Sequence, residues 1–276
     1  MPHRLTTLLL CTIPLLAQDS TPLTADAIMT RVAENQERAL KLRNEYVYEQ
    51  HIRVETRHFN GKLARKEIAD YVSTPTPEGI DNKLLKLEGQ YRKKKQYIDF
   101  NAEPAPERGS MDGSMIEGFR KELLRGDGTK DGIVGGDLFP LTANLQKKYR
   151  FELLGEQEVQ GRKAFRIRFR PAKKDDLDWT GEALIDAEEF QVVNVYTKLS
   201  RRIPFAVRTF LGTDLPGVGF NVKYQRLEKD VWFPVSFGTE FRLHVLFFIN
   251  RDIIISSDSS GFKRATLATA TPLETR

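Results

Sequence analysis

The feature that most constrains this chain is a two-residue alternation of apolar and polar side chains that recurs over most of its length. It is plainest in residues 164–170, where Phe165, Ile167 and Phe169 face one side and three arginines face the other. Alternation of this kind is typical of a β-strand with one buried face and one solvated face. Because no β-α-β pattern is present, the sequence predicts an antiparallel sheet.

The alternating segments are separated by short polar connections. Residues 46–59 run into Asn60 and Gly61, the strongest short hairpin signal, and residues 63–72 return. The other predicted strands are 83–88, 91–100, 149–155, 164–170, 180–185, 190–199, 205–211, 220–227, 231–241 and 243–256. Since short connections favour pairing of neighbours, we expect one large meander in sequential order, curved or nearly closed.

Helical periodicity is strong in one segment only, residues 24–43, which are apolar at three- and four-residue spacing. The apolar stripe of this helix is expected to pack on the sheet. A second, shorter helix is predicted around Met115, Phe119 and Leu123, inside a connection at 101–137 that is rich in glycine and proline. The fold class is therefore mainly β (α+β), with a large curved antiparallel sheet or incomplete barrel covered by these two helices.

The first residues have the pattern of a signal peptide. Arg4 precedes an apolar run at 5–16, and Ala17 follows it. The run is shorter than the ~20 residues that a membrane-spanning helix needs. We predict a signal peptide at 1–17, one domain at 18–262 and a flexible tail at 263–276. The mature protein is expected outside the cytoplasm.

Cys11 is the single cysteine of the chain and lies inside this apolar run. A lipoprotein anchor is the alternative to a discarded side chain, but a lipid-modified cysteine normally ends the apolar stretch. After cleavage no cysteine would remain, so core burial rather than a disulfide must stabilise the domain.

The charge balance is only weakly basic, with 43 Lys and Arg against 38 Asp and Glu. Basic runs occur at 92–95 and at Arg201 and Arg202. Solvated strand or loop faces explain these runs more simply than nucleic acid does, which is not expected as a partner. Contact with an anionic lipid head group or a membrane surface is the remaining alternative.

The histidines that follow the signal do not form a metal site in the sequence. His51 and His58 are seven residues apart on a predicted strand and should face opposite sides. His244 lies among apolar residues and is expected beside the core. No metal and no cofactor are therefore predicted.

Motifs of catalysis or cation binding are weak or missing. Residues 127–132 resemble the start of a calcium loop, but Thr129 and Leu138 occupy positions that need oxygen ligands, so a glycine-rich turn is the better interpretation. The acidic group at 175–178 is interpreted as a solvated loop. The sequence contains no nucleophile elbow, Walker loop or dinucleotide-binding fingerprint. Carboxylates that meet only in space stay open as an enzymatic alternative, but binding without catalysis is the prediction.

The order of elements, together with two strand-turn-strand segments, resembles a known family. The segments are residues 181–186 followed by Phe190 and Val193, and residues 227–234. They resemble the outer-membrane lipoprotein carriers and lipoprotein-sorting proteins of the LolA/LolB-like superfamily. The resemblance implies an incomplete barrel whose mouth is covered by helices and whose apolar concave face holds acyl chains. It also implies a bacterial periplasm as the location of the mature protein.

On this resemblance, the ligand-binding candidates are alternating apolar positions of the strands and the apolar face of the short helix. They are Phe119, Leu123, Leu124, Phe165, Ile167, Phe169, Phe190, Phe233 and Phe237, with Val192 and Val235 beside them. Ordinary core packing is the alternative for each. The expected partners are lipid or lipoprotein acyl chains, and membrane-surface or envelope proteins. A protein-docking or sensor module of the same fold, using exposed edge strands, is the second hypothesis.

Overall fold

A computed structural model describes residues 23–77, 79–125, 139–173, 179–199, 213–214, 218–245 and 249–265. The remaining residues include several that the sequence singled out. Outside the described residues lie the expected signal peptide with Cys11, the calcium-like segment at 127–132, the acidic group at 175–178, the basic pair Arg201 and Arg202, the expected strand at 205–211 and the tail beyond 265.

The first helix, α1, spans Ala25–Arg43 and confirms the predicted helix at 24–43. Thr24 is its N-cap, and the Oγ1 atom of Thr24 accepts a hydrogen bond from the backbone N–H of Ala27 at 3.2 Å. Asp26 lies in the first turn and Lys41 in the last, which complements the helix dipole. The predicted apolar stripe is buried.

Twelve strands follow the helix in the described part of the chain. They are β1 Tyr46–Arg57, β2 Leu63–Thr76, β3 Gly79–Lys93, β4 Gln96–Phe100, β5 Tyr149–Val159, β6 Arg162–Pro171, β7 Trp179–Asp186, β8 Val192–Leu199, β9 Thr213–Asp214, β10 Gly219–Glu228, β11 Val231–Val245 and β12 Ile249–Arg264. Two further helices, α2 Met111–Leu124 and α3 Ala143–Gln146, lie between β4 and β5.

All the strands belong to one antiparallel sheet, in the order β4-β3-β2-β1-β12-β11-β10-β8-β7-β6-β5, and β9 pairs with β11. In the ranges that the structure describes, the sheet is not closed into a barrel. The fold class predicted from the sequence is therefore confirmed.

The expected sequential meander is wrong at two places. The first and last strands lie side by side, with Val54 opposite Ile255, whereas β4 and β5, neighbours in sequence, occupy opposite edges of the sheet. The reason is the intervening connection, because a segment that carries two helices is long enough to cross the sheet instead of closing a hairpin.

The break at Gly89, implied by separate predicted strands at 83–88 and 91–100, is also wrong, because β3 continues through this residue to Lys93 and the chain turns at Lys94 and Lys95 instead. Gly89 is opposite Phe100 of β4, and a Cβ atom on Gly89 would overlap the Phe100 ring and the backbone oxygen of Lys66. The glycine therefore makes room for an aromatic neighbour rather than for a turn. The hairpin predicted at Asn60 and Gly61 is confirmed, since β1 and β2 pair directly.

The three helices cover one face of the sheet. Helix α1 contacts β5 and β11, α2 contacts β1 and β2, and α3 contacts α1 and β5. The buried apolar side chains of α1 and α2 join those of the strands in one core cluster, whereas α3 has no buried residue. Among the described helices, none has the length and apolar character that crossing a membrane requires.

Helix α1 runs across the strands from the β5 edge towards the centre of the sheet. Near its start, the backbone oxygen of Met29 accepts a hydrogen bond from Gln146 Nε2 at 2.7 Å. At its end, Arg43 Nε donates to the backbone oxygen of Trp232 in β11 at 2.6 Å. In the strand order, β11 and β5 are five spacings apart, which corresponds to about 24 Å. A helix of 19 residues is about 28 Å long, so α1 is long enough to reach from one of these strands to the other.

Candidate ligand-binding cleft

A cleft lies on the helix-covered face, where the carboxyl ends of α1 and α2 meet the sheet. It holds a cavity of about 60 Å³. The strands beneath it are mainly β1, β11 and β12. The lining residues are Leu40, Arg43, Asn44, Tyr48, Gln50, Ile80, Leu123, Phe233, Pro234, Ser236, Phe237, Ser257 and Ser259.

The cleft separates two apolar clusters. The large cluster contains most of the buried apolar residues, including Phe237 and Leu123. The small cluster is formed by Tyr46, Val231 and Phe233 with partly buried neighbours. The ring of Phe233 lies 5.3 Å from that of Tyr46. The core is therefore interrupted between these clusters, beneath the end of α1.

A bulge in β11 helps to form this interruption. The register between β10 and β11 shifts between Pro234 and Ser236, and both residues line the cleft. Val235 is the extra residue of the bulge, and the pairing of β11 with β12 begins only at Ser236. Pro234, which has no N–H to donate, therefore lies before the part of β11 that is paired on both sides. The bulge thus changes the direction of the β11 side chains beside the cavity.

The floor of the cleft is polar, and its walls are mostly apolar. Gln50 and Ser257 are both buried, and Gln50 Nε2 donates to Ser257 Oγ at 2.9 Å. Ser236 and Ser259 also reach the cavity. Since a hydroxyl can both donate and accept, these side chains can bind an ester, amide or hydroxyl oxygen of a ligand. A molecule with one apolar and one polar end matches this lining.

Arg43 fixes the α1 wall of the cleft. Its Nε bonds to the Trp232 backbone oxygen, its Nη2 donates to Gln36 Oε1 at 3.3 Å, and its guanidinium carbon lies 5.5 Å from the centre of the Tyr224 ring. The side chain is 5% exposed. Its charge therefore anchors the end of the helix on the sheet.

Helix α2 forms the opposite wall and is anchored along its length. Leu123 is 2% exposed, and the backbone oxygen of Leu124 accepts a hydrogen bond from Asn82 Nδ2 at 2.9 Å. In the middle of the helix, Arg120 Nη1 lies 3.1 Å from Glu67 Oε2. The width of the cleft therefore depends on polar contacts as well as on apolar packing.

The amino end of α2 is bound by a bidentate ion pair. Arg251 Nε and Nη2 donate to the Asp112 carboxylate at 2.8 and 2.9 Å. Burial favours the neutral acid and pushes the pKa of Asp112 upwards, but the hydrogen bonds from Arg251 and Thr56 and the positive charge of Arg251 together outweigh it, and the pKa lies below its ordinary value. Asp112 is therefore a stable anion that holds α2 to β12.

Three of the nine predicted site residues, Leu123, Phe233 and Phe237, line the cleft. Phe119 and Leu124 pack against the large cluster, with the ring of Phe119 6.0 Å from that of Phe241. The structure thus brings together residues from α2 and β11 that are far apart in sequence.

The other predicted site residues lie in the core, away from the cleft. Ile167 is 0% exposed and Phe169 is 1% exposed, and Phe165 stacks on Phe190 with 6.1 Å between the ring centroids. Of the two residues beside these candidates, Val192 belongs to the large cluster and Val235 packs on the small one.

The polar floor was not predicted from the sequence. In β12 the buried positions Ile253 and Ile255 are followed, at the same two-residue spacing, by Ser257 and Ser259. A serine where the alternation requires an apolar residue indicates a polar surface within the core. This signal could have located the cleft.

The histidines that the structure describes lie outside the cleft. His51 Nδ1 is 2.6 Å from Asp70 Oδ1 on an exposed surface, and the His244 ring contacts Phe59 at 4.7 Å between centroids. Within the described ranges, no group of three or more His, Cys, Asp or Glu side chains could hold a metal ion.

Comparison with known proteins gives similar solved structures only. No family model and no curated protein matches the chain. An outer membrane lipoprotein-sorting protein domain from Vibrio parahaemolyticus is 11% identical, with 88% of this chain and 94% of that chain covered and a TM-score of 0.37. A DUF1329 family protein from Desulfovibrio piger is 11% identical, with 86% and 93% covered and a TM-score of 0.34.

A LolA superfamily protein from Nitrosomonas europaea is 9% identical, with 88% of this chain and 94% of that chain covered and a TM-score of 0.30.

Proposed function

We propose that this protein is an extracytoplasmic binding protein that holds the apolar part of an amphiphilic ligand, such as a lipid or a lipoprotein acyl chain, in the cleft beneath α1 and α2. The observation that carries this proposal is the lining of the cleft, in which apolar walls enclose a floor made by Gln50, Ser236, Ser257 and Ser259. Apolar pockets with a few convergent polar groups are typical ligand sites.

The same lining favours binding over catalysis. Among the described residues that line the cleft, none is an aspartate, glutamate, histidine or cysteine. General acid-base and nucleophilic catalysis depend mainly on such side chains. The serines lack a neighbouring base in this lining, so we infer that they bind oxygen atoms of the ligand.

The size of the cavity sets a condition on the ligand. A volume of about 60 Å³ has room for about four water molecules at about 15 Å³ each. Burial of about four methylene groups would contribute about 3 kcal/mol, less than the roughly 4–15 kcal/mol that association costs. The proposed ligand therefore has a long chain or several chains, and Leu40 and Leu123 move apart to admit it.

Native mass spectrometry of the protein purified from an exporting host, together with titration of a fluorescent fatty acid, tests this proposal. We expect an additional lipid mass and saturable uptake. A single mass without ligand, combined with no uptake of fatty acids or lipopeptides, would contradict it.

Matched variants on β12 localise the site. Ser259→Trp fills the cleft and should weaken uptake by about tenfold or more, equivalent to about 1.4 kcal/mol. Ser260 is exposed on the same strand, so Ser260→Trp should leave the affinity unchanged. Equal loss in both variants, each with wild-type circular dichroism, would place uptake elsewhere.

A second candidate function is docking of a protein partner at the edge strand β5. In the described part of the chain β5 pairs only with β6, and Leu153 of β5 is 38% exposed. An extended peptide could add to such an edge as a further strand. Glu152, Glu156 and Glu158 are exposed along β5, which favours a basic peptide.

Cross-linking with mass spectrometry distinguishes the two functions. Docking predicts a reproducible partner cross-linked to β5, lost in Leu153→Lys, and no co-purified lipid. Ligand binding in the cleft predicts lipid in the preparation and the same lipid content in Leu153→Lys.

A further inference from the structure

The sheet brings three hairpin ends together at the end opposite the cleft. Arg57 closes the β1–β2 hairpin opposite Leu63. Arg65 pairs with Tyr91, so the β3–β4 turn emerges beside it. On the other side, β11 and β12 meet at the same end, with Arg242 opposite Asp252.

Cations are concentrated on this hairpin end. The β3–β4 turn consists of Lys94 and Lys95, with Arg92 just before it, and Lys62 follows the β1–β2 turn. Within the described part of the chain, none of these four forms an ion pair, whereas Lys93 binds Glu107 at 2.6 Å. Four positive charges are therefore available to an external anion.

The backbone conformation of the β3–β4 turn also indicates that its positive charge is functional. Lys94 has a φ of 58°, in the left-handed region where a two-residue hairpin usually carries asparagine or glycine. A lysine at this position is not the most stable residue for the turn. Its charge is the property that a neutral turn residue would not supply.

Exposed apolar side chains surround the cations. Phe59 is 38% exposed, Tyr97 46% and Met111 37%, and these are three of the six large apolar side chains exposed in the described residues. Met111 belongs to this end because its neighbour Asp112 binds Arg251 at the start of β12. The Phe59 ring is held 4.5 Å from the guanidinium carbon of Arg242. Aromatic rings beside lysines are typical of surfaces that meet the lipid-water interface.

We propose that this hairpin end, defined by Phe59, Lys62, Arg92, Lys94, Lys95, Tyr97 and Met111, docks on an anionic phospholipid bilayer. The cations bind the phosphate and carboxylate groups of the lipid surface, and the apolar side chains enter the head-group region. At the opposite end of the sheet anions accompany the cations: Glu228 pairs with Arg264, Glu45 lies within 3.7 Å of the same arginine, and Asp230 is exposed beside Lys229.

Docking at this end has a consequence for the cleft. Residues 48 and 57 lie near opposite ends of β1, about 30 Å apart at about 3.3 Å per residue. A docked molecule therefore presents the cleft away from the membrane. Vesicle binding and ligand uptake should consequently be independent, and failure of one leaves the other intact.

Co-sedimentation of the purified, exported protein with vesicles tests the inference. We expect binding to vesicles with about 30% phosphatidylglycerol, little binding to phosphatidylcholine alone, and release at about 0.5 M NaCl, where the screening length is only about 4 Å. The triple variant Lys62→Gln, Lys94→Gln, Lys95→Gln should bind about 100-fold more weakly, at about fivefold per lysine.

A charge-matched triple variant is the control. Lys41, Lys223 and Lys229 are exposed elsewhere on the molecule, and their replacement by glutamine removes the same net charge. We expect this control to bind within about twofold of the wild type. Equal losses in both triple variants, or equal binding to neutral and anionic vesicles, would overturn the proposal. Fatty-acid uptake by both variants should match that of the wild type.

Discussion

Glu67 of β2 and Arg120 of α2 form a buried ion pair across the sheet-helix interface, with Oε2 and Nη1 3.1 Å apart. The other carboxylate oxygen of Glu67 accepts a hydrogen bond from Arg65 Nε at 2.7 Å. Arg65 is 1% exposed and lies near the rings of Tyr91 and Phe100. One carboxylate therefore neutralises part of the charge of two buried guanidinium groups.

Replacement of Glu67 tests the importance of this cluster for stability. Glu67→Gln leaves two buried cations without an anion, so we expect the free energy of unfolding to fall by about 3–5 kcal/mol. Chemical denaturation measures the loss. Glu88→Gln removes an exposed pair with Lys86 and should cost less than about 1 kcal/mol. Similar losses in the two variants would show that the buried cluster contributes no more to stability than an exposed ion pair does.

The anchor at the amino end of α2 should depend on pH. Because the pKa of Asp112 is lowered in the folded protein, its stabilising contribution is complete above the ordinary aspartate pKa of about 3.9 and is lost as the pH falls through the lowered value. Asp112→Asn should therefore reduce stability at neutral pH, and the difference from wild type should shrink at about pH 3. A difference that stays constant with pH would contradict the assignment.

Leu123 should control the width of the cleft. Leu123→Ala removes buried methyl groups from the α2 wall, so we expect a loss of about 2–5 kcal/mol in stability together with tighter uptake of a fluorescent fatty acid. Ile116→Ala is the matched control, since Ile116 is 0% exposed on the same helix but does not line the cleft. It should lose comparable stability without a gain in uptake.

Two glycines should respond in opposite ways to alanine. At Gly118, an exposed position of α2, a Cβ atom would meet no atom within 4 Å, so Gly118→Ala should raise stability by about 0.5–1 kcal/mol. At Gly89 the added carbon would overlap Phe100 and Lys66, so Gly89→Ala should lower stability. Thermal unfolding of both variants measures the difference in sign.

Sequence periodicity predicted most secondary structure because it reports local burial. The helix α1, the hairpin at Asn60 and Gly61 and the alternation in β6 each follow from side-chain spacing over about ten residues. The break expected at Gly89 was wrong because a glycine can serve a turn or a close neighbour. Only the partner strand, with Phe100 opposite, decides between these roles.

The residues of the candidate cleft also could not be identified from local sequence patterns alone. Phe165, Ile167 and Phe169 were predicted as site residues on the family resemblance, at alternating positions of a kind that core residues share, and they belong to the large core cluster. Leu123 and Phe233 line the cleft together although 110 positions separate them in the sequence. The alternation identifies an inward face but does not report whether a void or a neighbour lies opposite.

The sequence by itself determined the antiparallel sheet, the covering helix and the apolar face, because each depends on contacts between residues close in the chain. The tertiary structure alone decided that β1 lies beside β12, that β4 and β5 form opposite edges, and that serines meet beneath α1. These features depend on pairings between distant segments, whose geometry is set by the path of a long connection and by the packing of side chains that no local pattern encodes.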